Sequence, residues 1–554
     1  MNRKRNNTSM GGSRKHAAAP LANTAKASTS SATSPQRKTG GLARLLFPVP
    51  LVVFLLVWLW AAWWQGDAFR MVRENSFFAP DTLLMRFEMD KSYGILWTVG
   101  RALLTPFRYP WLGGALLSLM LTASCWLLGY ALRLTPRWRW VQYLPLILFT
   151  GLFTWQGANN WFEAESGHVM GIPFCILLIL VVWGVIIRSF SHKPTPAIFR
   201  IPQDETPWQN RFQLLTVLLT ILVPAVWGHF YRPCVRPLAK EQVAVMNQDW
   251  EKVIEVAHAH AELSNRPMAA QYAIALVQTG QIADKLFDIR LDYDKIHATG
   301  YNEDTASTVT TGMYLMECDY HAGLVQTAYH HAMESMAMEG PTLRNLKMLC
   351  KASLLRSEWE VAEKYLTILS KVPFEGDFVE KYQAMLRRPD RVNADKEMAR
   401  VRLTEPVHDA FENRFLPPVF LGYNADLLEG RSIQALHNAL MVSIYTKKMP
   451  DFLFRSQPLR GTTPPVSFAE ALLLLSGKNP EILQQFSNLE MYRGRLTSFL
   501  EHTRQYLTTP EERAARAREL FPQYKGYYPY YYFFGNLKAT KKRDKAESSN
   551  AGVN

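Results

Sequence analysis

The chain is 554 residues long, enough for more than one domain. Its net charge of +14 divides unevenly: residues 1–231 hold 22 Lys and Arg against 9 Asp and Glu, leaving 40 against 39 for the rest. The basic excess therefore belongs to a tail and to loops between apolar stretches, and the nearly neutral second part excludes nucleic-acid binding, which asks for a basic folded domain.

Residues 1–41 carry eight Lys or Arg and no acid among Ser, Thr, Ala and Asn. Such a segment buries too little apolar surface to offset its ordering entropy, and a disordered basic cytoplasmic tail is expected. The apolar run that follows closes on Trp63-Trp64-Gln65 with no small-x-small cleavage site, the pattern of an uncleaved signal anchor. A membrane domain over 42–231 is expected, with five spans at 47–64, 111–132, 141–155, 171–187 and 212–231, each approaching the ~20 residues that cross a bilayer as a helix. Trp60, Trp63, Trp64, Trp111, Trp138, Trp140, Trp155 and Trp161 stand near span ends, as in interfacial belts.

Lys and Arg in the short loops set the orientation. Arg133, Arg137 and Arg139 lie in one loop and Arg188, Lys193, Arg200 and Arg211 in another, whereas the loop between the third and fourth spans has Glu163 and Glu165 and no basic residue. An inner N-terminus and an outer C-terminal domain follow. The partly apolar stretch Ile95–Leu104, with Arg101 near its end, reads as an interfacial or re-entrant helix; a sixth span there would reverse the C-terminal placement.

From about Gln242 the pattern becomes amphipathic helices joined by short polar turns. An acid followed by an aromatic recurs at Asp249-Trp250, Asp319-Tyr320 and Glu358-Trp359. Trp250, Val253, Ala257 and His260 share a helical face; Trp359, Ala362, Leu366 and Leu369 repeat that spacing, with Pro373 closing the helix; Tyr320, Gly323, Thr327 and His330 repeat it more weakly. A degenerate repeat fits near Gly280-Gln281-Ile282. Helices are expected to continue after Pro373, at Ser432–Tyr445, Phe468–Ser476 and Asn479–Phe486. The segment Asp377–Leu416 is charged and less periodic, and Ser456–Pro465 is loop-like. The helical-repeat domain spans 240–537, and 538–554 is a disordered tail.

Glu358-Trp359, Ala362 and Pro373 resemble the second helix of tetratricopeptide repeats, although the Trp-x-x-Leu-Gly of the first helix is missing. The resemblance implies a solenoid of helix pairs with Trp250, Tyr320, Trp359, Ala362 and Pro373 in its repeat core. Taken whole, the chain also resembles a family of uncharacterised bacterial inner-membrane proteins with a multi-span first half and a helical second half ending in an aromatic run, here Tyr527–Phe534. That implies architecture only.

Walker A, GxGxxG, CxxC, HExxH and GxSxG motifs are absent, and no cofactor or metal is expected. His258 and His260 diverge on a helix and cannot share a metal. The outer loop Asn159–His168 places Glu163, Glu165 and His168 among aromatic rings, where they could serve in acid–base work, joined by Asp81; a solvated turn with an interfacial Trp161 is the plainer reading. Cys318 and Cys350 could pair in an oxidising compartment, or lie as separate thiols in the repeat core. The aromatic run could form an exposed patch, cap the last helices or pack on lipid.

The expected fold class is all-α: a polytopic helical membrane domain followed by a tetratricopeptide-like solenoid. The expected function is a scaffold for protein partners at the outer face of a bacterial inner membrane, within envelope assembly, in contact with membrane lipid. The alternative is an integral-membrane transferase acting on a lipid-linked substrate with carboxylates in its outer loops.

Overall fold

A computed structural model describes residues 49–132, 134, 136–162, 166–190, 207–263, 266–291, 316–405, 432–503 and 509–535. The expected tails at 1–41 and 538–554, the first residues of the expected first span, Glu163 and Glu165 lie outside these residues. Among the described residues every regular element is a helix.

The apolar half begins with α1 (Val49–Leu59), which runs through a π turn at Trp60–Trp64 and bends by 67° into α2 (Gly66–Glu74). Two short helices follow, α3 (Thr82–Met89) and α4 (Gly94–Leu104). Then come α5 (Pro110–Ala131), α6 (Leu144–Gln156), α7 (His168–Phe190) and α8 (Pro207–Tyr231). Among the described residues three helices are long and apolar enough to cross a membrane, over Pro110–Ala131, His168–Ile186 and Arg211–Tyr231, and the bent pair would make a fourth. The expected third span, 141–155, differs. Its first residues belong to a 3-10 run at Pro136–Tyr143, and α6 has 13 residues, about 20 Å of helix against the ~30 Å of hydrocarbon. Pro145 stands at its start and Gly157, at φ +57°, ends it. Helix α4 has 11 residues, far short of a crossing. It lies against α7 so closely that a Cβ on Gly100 would collide with the Gly167 carbonyl.

The second half starts with α9 (Val235–Met246), α10 (Trp250–Ala259) and α11 (Arg266–Thr279). A middle block holds α12 (Val325–Glu339), α13 (Leu343–Leu355), α14 (Trp359–Ser370), α15 (Gly376–Arg387) and α16 (Lys396–Thr404). The closing part holds α17 (Ile433–Tyr445), α18 (Met449–Arg455), α19 (Val466–Ser476), α20 (Arg493–Thr503), α21 (Pro510–Tyr524) and α22 (Tyr528–Phe534). The charged stretch from Asp377 is thus helical as far as Thr404. Its apolar stripe is thin, about one residue per turn, yet Val379, Tyr382, Met385, Met398 and Val401 are all buried.

One turn recurs five times among the described residues. Gln248, Gly280, Gly323, Ser357 and Lys447 adopt left-handed backbone conformations, with φ from 57° to 91°. In each, the N–H of that residue donates to the carbonyl three positions back, and the next N–H donates five positions back, as in Ser357 to Leu354 (3.2 Å) and Glu358 to Ser353 (2.9 Å). This satisfies carbonyls left over at a helix end. A new helix begins two positions after the left-handed residue: Trp250, Ile282, Val325, Trp359 and Met449.

That register corrects one expectation. Asp319-Tyr320 precedes its turn, and Gly323 is the left-handed residue of that turn; it is Val325 and Ala328 that correspond to Trp359 and Ala362. The acid–aromatic pair is matched by chance there, because Tyr320 ends a helix instead of starting one.

Stacked repeats would touch only their neighbours, but here the chain returns on itself. One core joins residues 244–291 to 440–531: Phe287 packs on Tyr528 and Tyr531, and the Gly526 N–H donates to the Phe287 carbonyl. Tyr527, Tyr528 and Tyr531 of the aromatic run are therefore interior, while Phe533 is exposed. Tyr528 donates to the Ile444 carbonyl and Tyr531 to the Tyr445 carbonyl.

Candidate functional site

One contact between the two halves runs through α2 and is ionic, beside an apolar core that Leu238, Ala239 and Val243 share with the first half. Arg73 and Glu74 end this helix and are both 1% exposed. Arg73 Nη1 donates to Glu74 Oε1 at 2.6 Å, and Nη2 stands 2.5 Å from Glu375 Oε1. Lys347, on α13, completes the group at 2.8 Å from Glu74 and 3.0 Å from Glu375. Two cations and two carboxylates cancel locally, which is what makes their burial tolerable. Around them Phe77, Ala79 and Met85 pack into an apolar cluster with Leu343, Leu346, Leu369 and Val379. A second buried pair, Glu88 and Arg101 at 2.9 Å, fastens α3 to α4.

Elsewhere lies a cavity of about 150 Å³. It opens where α8 ends and α9 begins. Trp64, Phe153, Pro224 and Ala225 give it apolar walls, and Arg232, Arg236 and Lys240 give it charge. Arg232 Nη1 donates to the Gln156 carbonyl at 2.8 Å, and the Arg236 guanidinium lies 3.6 Å from the Trp64 ring centroid. The other side of α9 faces inward. Trp161, fully buried, donates from Nε1 to Gln242 Oε1 at 2.9 Å. The interfacial Trp161 of the sequence reading is thus a core residue, held because its indole N–H has a buried acceptor. Glu241 beside it is fully buried with no side-chain hydrogen-bond partner, and burial pushes its carboxyl well above the usual range, favouring the neutral form.

The expected site residues are placed as follows. Glu163 and Glu165 lie outside the described residues. His168 starts α7 and stands 3.4 Å from Gln156 Oε1 through Nε2. Asp81 caps α3, accepting from the Leu83 N–H, and pairs with Lys371 at 2.6 Å; those contacts hold its carboxyl below the usual range. Asp81 is therefore a fastening between the halves. His258 bonds Tyr272 at 2.9 Å while His260 turns to the Val256 carbonyl, so the two imidazoles do diverge. Cys318 and Cys350 are buried, separate thiols. Tyr320 and Ala362 are fully buried and Trp250 is 7% exposed, whereas Trp359 and Pro373 are half-buried. Trp359 was expected between helices; as the first residue of α14 it packs one side on the middle block and leaves the other open. Among the described residues no group of three His, Cys, Asp or Glu side chains could hold a metal ion.

Sequence reasoning missed the seam, whose members have no local signature. It also missed Arg232, Arg236 and Lys240, whose four-residue spacing directly after an apolar helix was a usable signal.

No curated protein and no solved structure matches the chain. A family model described as a family of unknown function (DUF6057) matches residues 160–535, more than half of the chain, including the cavity strip and the whole second half. The chain belongs to that family.

Proposed function

We propose that this protein is a membrane-anchored helical scaffold, presenting tetratricopeptide-like hairpins to a protein partner at the outer face of a bacterial inner membrane, in envelope assembly. The observation that carries this reading is the buried seam of Arg73, Glu74, Lys347 and Glu375. It fixes the helical half on the apolar half at one orientation, as a platform requires and a flexible tether does not. The apolar residues that α8 exposes, among them Leu215, Leu222, Val226 and Phe230, support a lipid setting for that helix. The recurring helix–turn–helix geometry supports partner binding as the task of the second half. The transferase alternative rests on Glu163 and Glu165, and Asp81 is engaged in a cap and an ion pair.

Affinity purification of the full chain in mild detergent should yield a defined protein, recovered reciprocally when that protein carries the tag. Substitutions of exposed residues on α12–α16 should abolish the pairing while leaving membrane levels normal. A reporter active only outside the cytoplasm, fused after Leu537, should be active. Loss of cellular function on His168→Asn or Asp81→Asn, in a protein that still inserts and still binds its partner, would instead favour the transferase.

A further inference from the structure

Arg232, Arg236 and Lys240 recur every four residues and form one strip along the junction of α8 and α9. Neither Arg236 nor Lys240 has a carboxylate within ion-pair distance among the described residues. The acid that faces them is Asp67, on α2, which interacts with Lys240, Arg70 and Arg236 together. Glu241 is next along the helix, but it is fully buried, and burial favours its neutral form. His229 and His260 also line the cavity and add no negative charge. Asp67 is thus the acid shown to act on Arg236 and Lys240, and it is shared with Arg70.

The cavity also has a direction. Its apolar wall is formed by Pro224 and Ala225, and the exposed Leu222 and Val226, one turn from Ala225 and His229 on the same helix, border it. A ligand lying here meets cations at one end and a continuous apolar helix face at the other. The volume, about 150 Å³, is several times the ~30 Å³ that one water occupies in the liquid, which suits a phosphate and its ester linkage. Guanidinium groups match phosphate oxygens in pairs, and a stacked Arg is already oriented for that contact.

We infer that this cavity binds a phosphate-bearing anion, delivered as the headgroup of an anionic lipid whose acyl chains lie along α8. The inference rests on the bilayer placement within the proposed function and not on the scaffold role.

The test uses the full chain, purified in a neutral detergent and offered phosphatidylglycerol or phosphatidylcholine, with retained lipid counted by native mass spectrometry. The wild type should retain phosphatidylglycerol in preference. Arg236→Gln with Lys240→Gln should weaken that retention about tenfold or more, the loss expected of two charge-assisted contacts. The charge-conserving pair Arg236→Lys with Lys240→Arg should keep the preference, as should the remote surface change Lys364→Gln, which separates charge loss from misfolding. Glycerol 3-phosphate should compete weakly; if it binds as tightly as the lipid, the source is a soluble phosphate and the lipid assignment is overturned. Equal retention of the two lipids by the wild type, or undiminished phosphatidylglycerol on the neutralised variant, would overturn the site itself. The partner-capture experiment is independent of these readouts, so failure of the scaffold reading and failure of this site remain distinguishable.

Discussion

The middle block, residues 316–405, and the core that closes 244–291 onto 432–535 bury acidic side chains in opposite ways. In the middle block Glu397 sits 2.7 Å from Lys351 and 3.7 Å from Lys381, and accepts from the Tyr382 hydroxyl at 3.1 Å. Burial alone would raise its carboxyl, but the Lys351 ammonium, with Lys381 beside it, overcomes that and holds it at about 2. In the closing core Glu470 accepts from the Tyr528 N–H at 2.9 Å, and its nearest cation, Arg495, is 3.4 Å away and half exposed. There burial wins and pushes Glu470 up to about 7. Depth is similar in the two places. What differs is whether a buried cation comes with the carboxylate.

The comparison fixes the signs of the pH response. Glu397 has a lowered folded value, so its stabilisation is complete above the usual carboxyl value of 4.5 and is lost as pH falls toward about 2. Glu470 has a raised one, so the folded state holds its proton more tightly. Its cost is absent below 4.5 and grows until pH passes about 7. Acid should thus loosen the middle block while relieving the closing core. His321, kept neutral by burial and lowered to about 3, adds to the acid sensitivity of the middle block.

The most damaging way to break the comparison is Lys351→Met. It strands Glu397 in the interior, and removing one partner of a buried pair should cost about 3–5 kcal/mol. Thermal unfolding of the detergent-solubilised chain at pH 7 measures this; a loss below about 1 kcal/mol would mean the pairing does not govern the block. Glu470→Gln should do the reverse. At pH 8 it should stabilise by on the order of 2 kcal/mol, with the gain vanishing by pH 4. A gain that persists at pH 4 would assign the effect to packing instead of ionisation.

Trp359→Ala sharpens the picture of the middle block. Full burial would predict about 3–5 kcal/mol, and half-burial lowers that to about 1–3 kcal/mol. The smallest effect expected is a gain. Ser357 occupies a left-handed conformation, so Ser357→Gly should stabilise by about 0.5–1 kcal/mol. A destabilised variant would remove the turn from the account.

Helices were readable wherever an apolar face recurred at helical spacing, which is why Trp250 and Trp359 stand at helix starts as expected. Asp249 marks its start for a physical reason: it caps α10 by accepting from the Lys252 N–H. The same pattern misled at Tyr320, because an acid beside an aromatic carries no information about which side of a turn it lies on. Trp161 was misjudged for a similar reason, since a ring near a helix end looks alike whether it faces lipid or an acceptor such as Gln242. The seam was beyond reading: Lys347 reaches Glu74 across 273 positions, and no local pattern records such a meeting. The cavity strip lay within reach, but its three basic residues are spaced as an ordinary solvated face would be.

The packing of Phe287 against Tyr528 and Tyr531 also has a meaning in time. Ribosomes deliver the chain from its N-terminal side, so the helices around Phe287 emerge well before α22 exists. Until then the apolar surface that Tyr528 and Tyr531 cover stands open. Distant closures of this kind form slowly, and the waiting surface is prone to mispairing. Synthesis interrupted before the aromatic helix should leave a product that holdase chaperones retain and proteases clear.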